Sequence, residues 1–245
     1  MCGIFGTIGK IDDWQKETED VLSGIRHRGP DDSGIWSDDY VVLAHRRLSI
    51  LDVSHDGHQP MKSQDSRYII SFNGEIYNFK LLREELLKSK PTIQLKSKTD
   101  TEILLECCCN WGIEKTLKKT KGMFALALYD RKEGVLTLAR DRVGEKPLYY
   151  GRTGSGRLFF CSELSCIRYM RDFKKKIAEE ALVEFFSKGY IPAPLSIYEN
   201  VRKIEPGHIL KFDLKGDLIG ESIYWSMIET AITGQNNLFK GTFDE

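Results

Sequence analysis

The sequence has 245 residues, enough for one large domain or two small ones with a substantial core. Its 41% hydrophobic and 29% charged residues are ordinary for a globular chain and exclude fibrous and wholly disordered classes. Lys plus Arg and Asp plus Glu each total 36, so no charge excess advertises a nucleic-acid or membrane partner, and no apolar run approaches the ~20 residues of a membrane span.

The chain opens MCGIFGTIG, which reads as a strand whose glycines admit close neighbours. Trp14, Val21, Leu22 and Ile25 follow at helical spacing, and the helix should end before RHRGPDDSG, a loop by its Gly-Pro and aspartates. VVLAHRRLSIL reads as strand. RYIISFNGEIYNF is another, with Asn73-Gly74 interrupting it. LLREELL is a short amphipathic helix with Asn78 as a candidate cap. TDTEILLECCCNWG is a second helix, with Thr99 and Glu102 at capping-box spacing and Gly112 where it should stop. MFALALYD, GVLTLARD, KPLYYG and RLFFCSE are apolar strands joined by Gly-bearing turns, and their continuous hydrophobicity predicts sheets covered on both faces. IAEEALVEFFSKG is a further helix ending at Gly189, and a last strand pair lies around HILKFDL. Beyond about Tyr224 the pattern dissolves into polar, turn-rich sequence. Helices at the front and strands behind give an α+β class with stacked layers.

Six cysteines occur, three of them consecutive (Cys107, Cys108, Cys109) and none in a CxxC pair. That layout fits neither a disulfide framework nor zinc, and the expectation is a reduced, soluble, cytoplasmic chain.

Four stretches carry candidate chemistry, each with a bland alternative. Cys2 is either a small core residue or, after loss of Met1, a nucleophile whose own α-amine, with a pKa near ~8, serves as base. In SFNGEIYNF, Asn73 and Gly74 are either a hairpin turn or paired donors for an oxyanion, with the Glu75 carboxylate beside them. In AHRRLSI, Arg46 and Arg47 occupy opposite faces of a strand, so one points inward and needs an anionic partner, structural or bound. Asp100 in KTDTE suits a helix start, or an ammonium ligand. LDVSHDGH gathers Asp52, His55, Asp56 and His58, and reads as a polar surface loop rather than a metal site, because no helix aligns the two imidazoles.

Taken in order, MCGIFG, RHRGPDDSG, HRRLSILD, FNGEIYN, KTDTE, KGMFALALYD and RDRVGEKPLYYG resemble the glutaminase domain of glutamine-hydrolysing asparagine synthetases, a class II glutamine amidotransferase of the N-terminal nucleophile hydrolase type. The likeness runs from Met1 to about Trp225. It implies a four-layer α-β-β-α sandwich, removal of Met1, and attack by Cys2 on the glutamine side-chain amide. It implies that Asn73 and Gly74 form the oxyanion hole, that Arg47 holds the α-carboxylate, and that Asp100 with Glu75 holds the α-ammonium. Leu48, Ile50 and Leu51 would line the glutamine pocket, and RHRGPDDSG would close over it. Ammonia would pass to a synthetase domain in cis or in trans. No metal or other cofactor is expected in this chain; ATP and magnesium belong to the synthetase domain, whose Ser-Gly-Gly-x-Asp-Ser loop does not occur in this sequence. Residues 1–223 would form the glutaminase domain and 224–245 a linker into that further domain. The alternatives are a catalytically silent folding or docking module, and the glutaminase domain of a sugar-acid amidotransferase.

Overall fold

Alternation along the first strand, β1 (Gly3–Ile8), sets out the architecture of the computed structural model, which describes residues 1–9, 14–238 and 241. Ile4 and Ile8 face one way and Phe5 the other, and all are fully buried, so this strand has packing on both faces. Gly6 makes that possible: a Cβ there would stand 2.3 Å from the Phe160 ring and 2.5 Å from the Val42 carbonyl oxygen. The space at Gly3 is likewise taken by Ile25 and Arg28, so both glycines serve packing of the chain on itself.

Helix α1 (Trp14–Gly24) follows the amphipathic pattern and continues through a 3-10 turn, Arg26–Arg28. The RHRGPDDSG stretch is only partly loop, because strand β2 (Asp32–Ser37) begins inside it and pairs with β3 (Val41–Arg47). After β4 (Met61–Lys62), strand β5 (Tyr68–Ile76) runs without a break through Asn73-Gly74. The expected interruption is absent because those residues pair with Ala125 and Phe124, and a continuous ladder satisfies their backbone better than a turn. Helices α2 (Phe79–Ser89) and α3 (Asp100–Trp111) follow. Thr99 accepts the Glu102 N–H as a cap should, and Gly112 ends α3. Asn78 occupies the cap position of α2 without capping it; its amide instead donates to the Lys119 carbonyl and accepts the Lys121 N–H. Helix α4 (Ile113–Lys119), which follows directly from Gly112, escapes the sequence pattern.

Strands β6 (Gly122–Asp130), β7 (Val135–Arg140), β8 (Tyr149–Arg152) and β9 (Leu158–Cys161) fall on the four apolar runs. Helix α5 (Glu179–Lys188) ends at Gly189 in the left-handed region. Strands β10 (Val201–Lys203), β11 (His208–Phe212) and β12 (Leu218–Ile223) complete the sheets. The tail then forms α6 (Met227–Asn236) rather than irregular chain, capped by Ser226 and with no buried residue.

The strands make two antiparallel six-stranded sheets, in order β10-β8-β9-β1-β3-β2 and β12-β11-β7-β6-β5-β4. Each draws strands from both halves of the sequence, so strands and helices are more interleaved than the front-and-back reading supposed. One apolar cluster fills the space between the sheets, joining Ile4, Ile8 and Leu43 to Ile69, Ala125 and Leu138. A second lies between the first sheet and α1, a third between the second sheet and α2, α3 and α4. Three cores require four layers, and the molecule is an α-β-β-α sandwich. All six cysteines are free thiols. Among the described residues no helix is long and apolar enough to cross a membrane.

Candidate active site

The two sheets open at one edge, where the start of β1, the end of β3 and the end of β5 meet. A cleft lies there, lined by Cys2, Arg47, Leu48, Ile50, Leu51, Gly74, Glu75 and Asp100 among others. Eight of the nine residues singled out from the sequence therefore share one cavity. The ninth, Asn73, is buried beside it.

Strand pleat decides which arginine enters. Arg46 lies on the helix-facing side and donates to the Leu22 carbonyl of α1 at 2.8 Å. Arg47 shares the face of Leu43 and His45, toward the second sheet, and is 6% exposed. Its guanidinium donates to the Ser54 carbonyl at 2.8 Å and to the Asp52 carbonyl, which leaves further N–H groups for a ligand. Gly57 allows that pose, since a Cβ there would fall 1.9 Å from Arg47 Nη2. The loop that grips Arg47 is itself tied down. Asp52 accepts the Ser54 N–H at 2.9 Å and the Lys98 N–H at 3.0 Å, and the Ser54 hydroxyl, with these backbone bonds, holds its carboxyl well below the ordinary range.

Cys2 sits at the mouth of the inter-sheet space. Its sulfur receives the Leu48 N–H at 3.4 Å, and its thiol faces the Leu48 carbonyl at 3.8 Å. Arg28 Nε donates to the Cys2 carbonyl at 3.0 Å and fixes the backbone there. Burial raises the thiol pKa, while the Leu48 N–H, the Met1 ammonium and Arg47 act in the other direction.

The open edge of β5 supplies donors. Phe72 N–H goes to Gln59 Oε1 at 2.7 Å, and Ile76 N–H to Asp100 Oδ2 at 2.7 Å. Phe124, opposite Gly74, directs its own N–H and carbonyl toward Asp141 instead. By antiparallel alternation the Gly74 N–H therefore points to the same edge as those of Phe72 and Ile76, and Gly74 lines the cleft. Next to it the Asn73 amide nitrogen is buried with no hydrogen-bond partner. A buried unpaired donor costs about 1–3 kcal/mol, which calls for an acceptor supplied from outside the chain.

Asp100 opens α3 and is 4% exposed. Burial pushes its carboxyl up to about 6, against the Ile76 N–H that favours ionisation, and neighbouring Glu75 raises it further. Glu75 is itself raised by burial. Two carboxylates thus face one cavity with their charge incompletely compensated, an arrangement that welcomes a cation. The cleft accordingly offers a thiol, a fixed guanidinium, two carboxylates, the unpaired Asn73 amide donor and the edge-facing Gly74 N–H.

Sequence reading missed three supports. Gln59 bridges the Phe72 N–H and Thr101 Oγ1, and lines the cleft. Thr101 is another wall residue. His45, fully buried, bonds the Phe72 carbonyl through Nε2 at 3.0 Å; burial drops its pKa to about 4, so it is neutral and ties the sheets together directly below the site. His45 shares the inward face with Arg47 two residues on, the only sequence signal for it.

Residues 1–225 match the protein family described as "Glutamine amidotransferase domain". Asparagine synthetase [glutamine-hydrolyzing] 1 of Bacillus subtilis is 34% identical over 249 residues, covering 100% of this chain and 38% of that protein. Asparagine synthetase B [glutamine-hydrolyzing] of Escherichia coli K12 is 39% identical over 170 residues, covering 68% and 30%. The chain thus spans well under half the length of these relatives. Among solved structures, the B. subtilis glutamine phosphoribosylpyrophosphate amidotransferase complexed with ADP and GMP superposes with a TM-score of 0.65 at 21% identity, over 92% of this chain and 50% of the other. That likeness is one of fold. With the family matched across nearly its whole length, this chain belongs to the glutamine amidotransferase domain family.

Proposed function

We propose that this chain hydrolyses glutamine to glutamate and ammonia, with Cys2 as nucleophile, as the ammonia-donating part of an asparagine synthetase-type amidotransferase. One observation carries the reading. The Cys2 thiol, Arg47 and the Asp100–Glu75 pair share a cleft whose edge also holds an unpaired buried donor, Asn73 Nδ2, and Gly74, whose N–H the strand alternation turns to the same edge. Glutamine is a zwitterion with an amide, and this set matches its α-carboxylate, its α-ammonium and the oxyanion formed when its amide is attacked.

With Met1 removed, the α-amine of Cys2 accepts the thiol proton, and the sulfur bonds to the side-chain carbonyl carbon of glutamine. The carbonyl oxygen becomes an oxyanion held by Asn73 and Gly74; losing one such donor typically costs ~3–4 kcal/mol of barrier. The amine returns its proton to the departing nitrogen, ammonia leaves, and a thioester remains. Water, deprotonated by the same amine, then releases glutamate and restores the thiol. Arg47 and Asp100 hold the substrate's polar end, so that the amide meets the sulfur rather than bulk solvent. Leu48 both receives the sulfur and, with Ile50 and Leu51, walls the pocket.

The ammonia would serve a carboxylate activated by ATP and magnesium in a further synthetase domain, in cis or in trans, and residues 224–245 would lead to it. The position of α6, with no side chain buried against residues 1–225, supports that reading of the tail. Incubating the Met1-free protein with glutamine should release glutamate and ammonia in equal amounts. A protein that binds glutamine but releases neither would instead be a silent docking module.

A further inference from the structure

We propose a transition-metal site at the rim of the cleft, formed by Asp32, His55 and His58. A ring nitrogen of each histidine and a carboxylate oxygen of Asp32 lie within 4.8 Å of one another. Sequence reading brings His55 and His58 together but dismisses them as a metal site, because the third member comes from β2, over twenty positions earlier, and neither Asp52 nor Asp56 of the same loop belongs to the set.

Several features favour a bound ion over a chance gathering of polar groups. The donor set, two imidazoles and one carboxylate, is that of open three-ligand zinc sites and suits the later first-row divalent ions. The three side chains already converge: the two imidazole centroids are 5.0 Å apart, and His58 Nδ1 and Asp32 Oδ2 form a 2.7 Å hydrogen bond whose proton a bound ion would replace. Gly34 opposite lets His58 lie flat on β2, since a Cβ there would stand 2.5 Å from His58 Nε2. His55 is exposed, so no packing holds its ring in a single position.

The site would have a mechanical consequence. Residues 55–58 adjoin Ser54, whose carbonyl receives Arg47, and include Gly57, against which the guanidinium packs. Asp32 pairs with Arg47 across the β2–β3 ladder. An ion joining Asp32 to His55 and His58 would therefore clamp the two sides of the Arg47 cage together.

The test is titration of the full-length protein with Co²⁺, followed by visible absorption and calorimetry, beside His55→Ala, His58→Ala and Cys2→Ala. The expected result is one equivalent bound with nitrogen–oxygen ligand-field bands and no thiolate charge-transfer band. Cys2→Ala should leave it unchanged. His55→Ala, a surface change, should weaken it at least about tenfold, since even outer-sphere losses cost metal sites about 10–100-fold. The protein's unfolding midpoint should rise with Co²⁺ in the parent and not in His55→Ala. Absence of binding, or binding that survives both histidine replacements, or a signal lost with Cys2→Ala, would overturn the site. None of these readouts depends on glutamine turnover.

Discussion

Asp100→Asn separates what the fold wants from what the site wants. In the free protein this carboxyl is raised from 3.8 to about 6, chiefly by burial and with Glu75 adding repulsion. A shift of that size corresponds to ~3 kcal/mol of penalty on the ionised form. For an acid raised on folding, the relative stabilisation is complete below the unfolded-state pKa and is lost as pH rises through the folded one. Asp100 therefore costs the free protein most near neutrality, where it is ionised in both states. Asparagine keeps an oxygen to accept the Ile76 N–H, now at 2.7 Å, and carries no charge. Urea unfolding should show Asp100→Asn more stable than the parent by about 1–3 kcal/mol at pH ~7.5, the gain shrinking through pH ~6 and vanishing near pH ~3.5. The same variant should lose the stabilisation that glutamine confers on the parent, because the ammonium has lost its counter-charge. A variant less stable than the parent at neutral pH, or one still stabilised by glutamine, would refute the reasoning.

Other perturbations follow from the same geometry. Gly57→Ala places a methyl 1.9 Å from Arg47 Nη2 and must displace the guanidinium. With charged hydrogen bonds worth ~1.5–3 kcal/mol, KM for glutamine should rise roughly 10–100-fold with kcat little changed, and an unaltered KM would remove Arg47 from substrate binding. Asn73→Ala should lower kcat by about 100–1000-fold at similar KM, as loss of an oxyanion donor does. Since the Asn73 amide nitrogen is unpaired in the free protein, that change should leave unfolding nearly unaffected; a large destabilisation would mean that Asn73 is structural. Glutamine affinity should fall as pH drops below about 6, where Asp100 becomes protonated, and a flat profile there would argue against its carboxylate as the ammonium's partner.

Much of this architecture was legible from alternation and spacing. Apolar runs gave the strands, and the pleat required that one of Arg46 and Arg47 face inward, though which one came only from the family resemblance. The cap at Thr99 and the stop at Gly112 were local signals and held. What failed was non-local. Asn73-Gly74 has the chemistry of a turn, yet pairing with Ala125 and Phe124, some fifty residues on, keeps it in strand. The Asn78 side chain was drawn to Lys119 and Lys121 rather than to its own helix. The eight cleft residues come from segments that no spacing rule relates, so their convergence could be expected only through family resemblance. Gln59, which braces Phe72, carries no signal that distinguishes it from an ordinary polar residue, and His45 carries only its place two residues from Arg47 on the inward face. Helix α6 was missed because its sequence is weakly patterned and buries nothing.

The central claim is that Cys2, freed of Met1, attacks glutamine. It is tested most directly by mixing the protein with glutamine, quenching in acid within the turnover time, and determining the intact mass and the modified peptide. A glutamyl thioester on Cys2 is predicted in the Met1-free protein, absent when Met1 is retained and absent in Cys2→Ala. Glutamate release without that adduct, or undiminished in Cys2→Ala, would contradict the account.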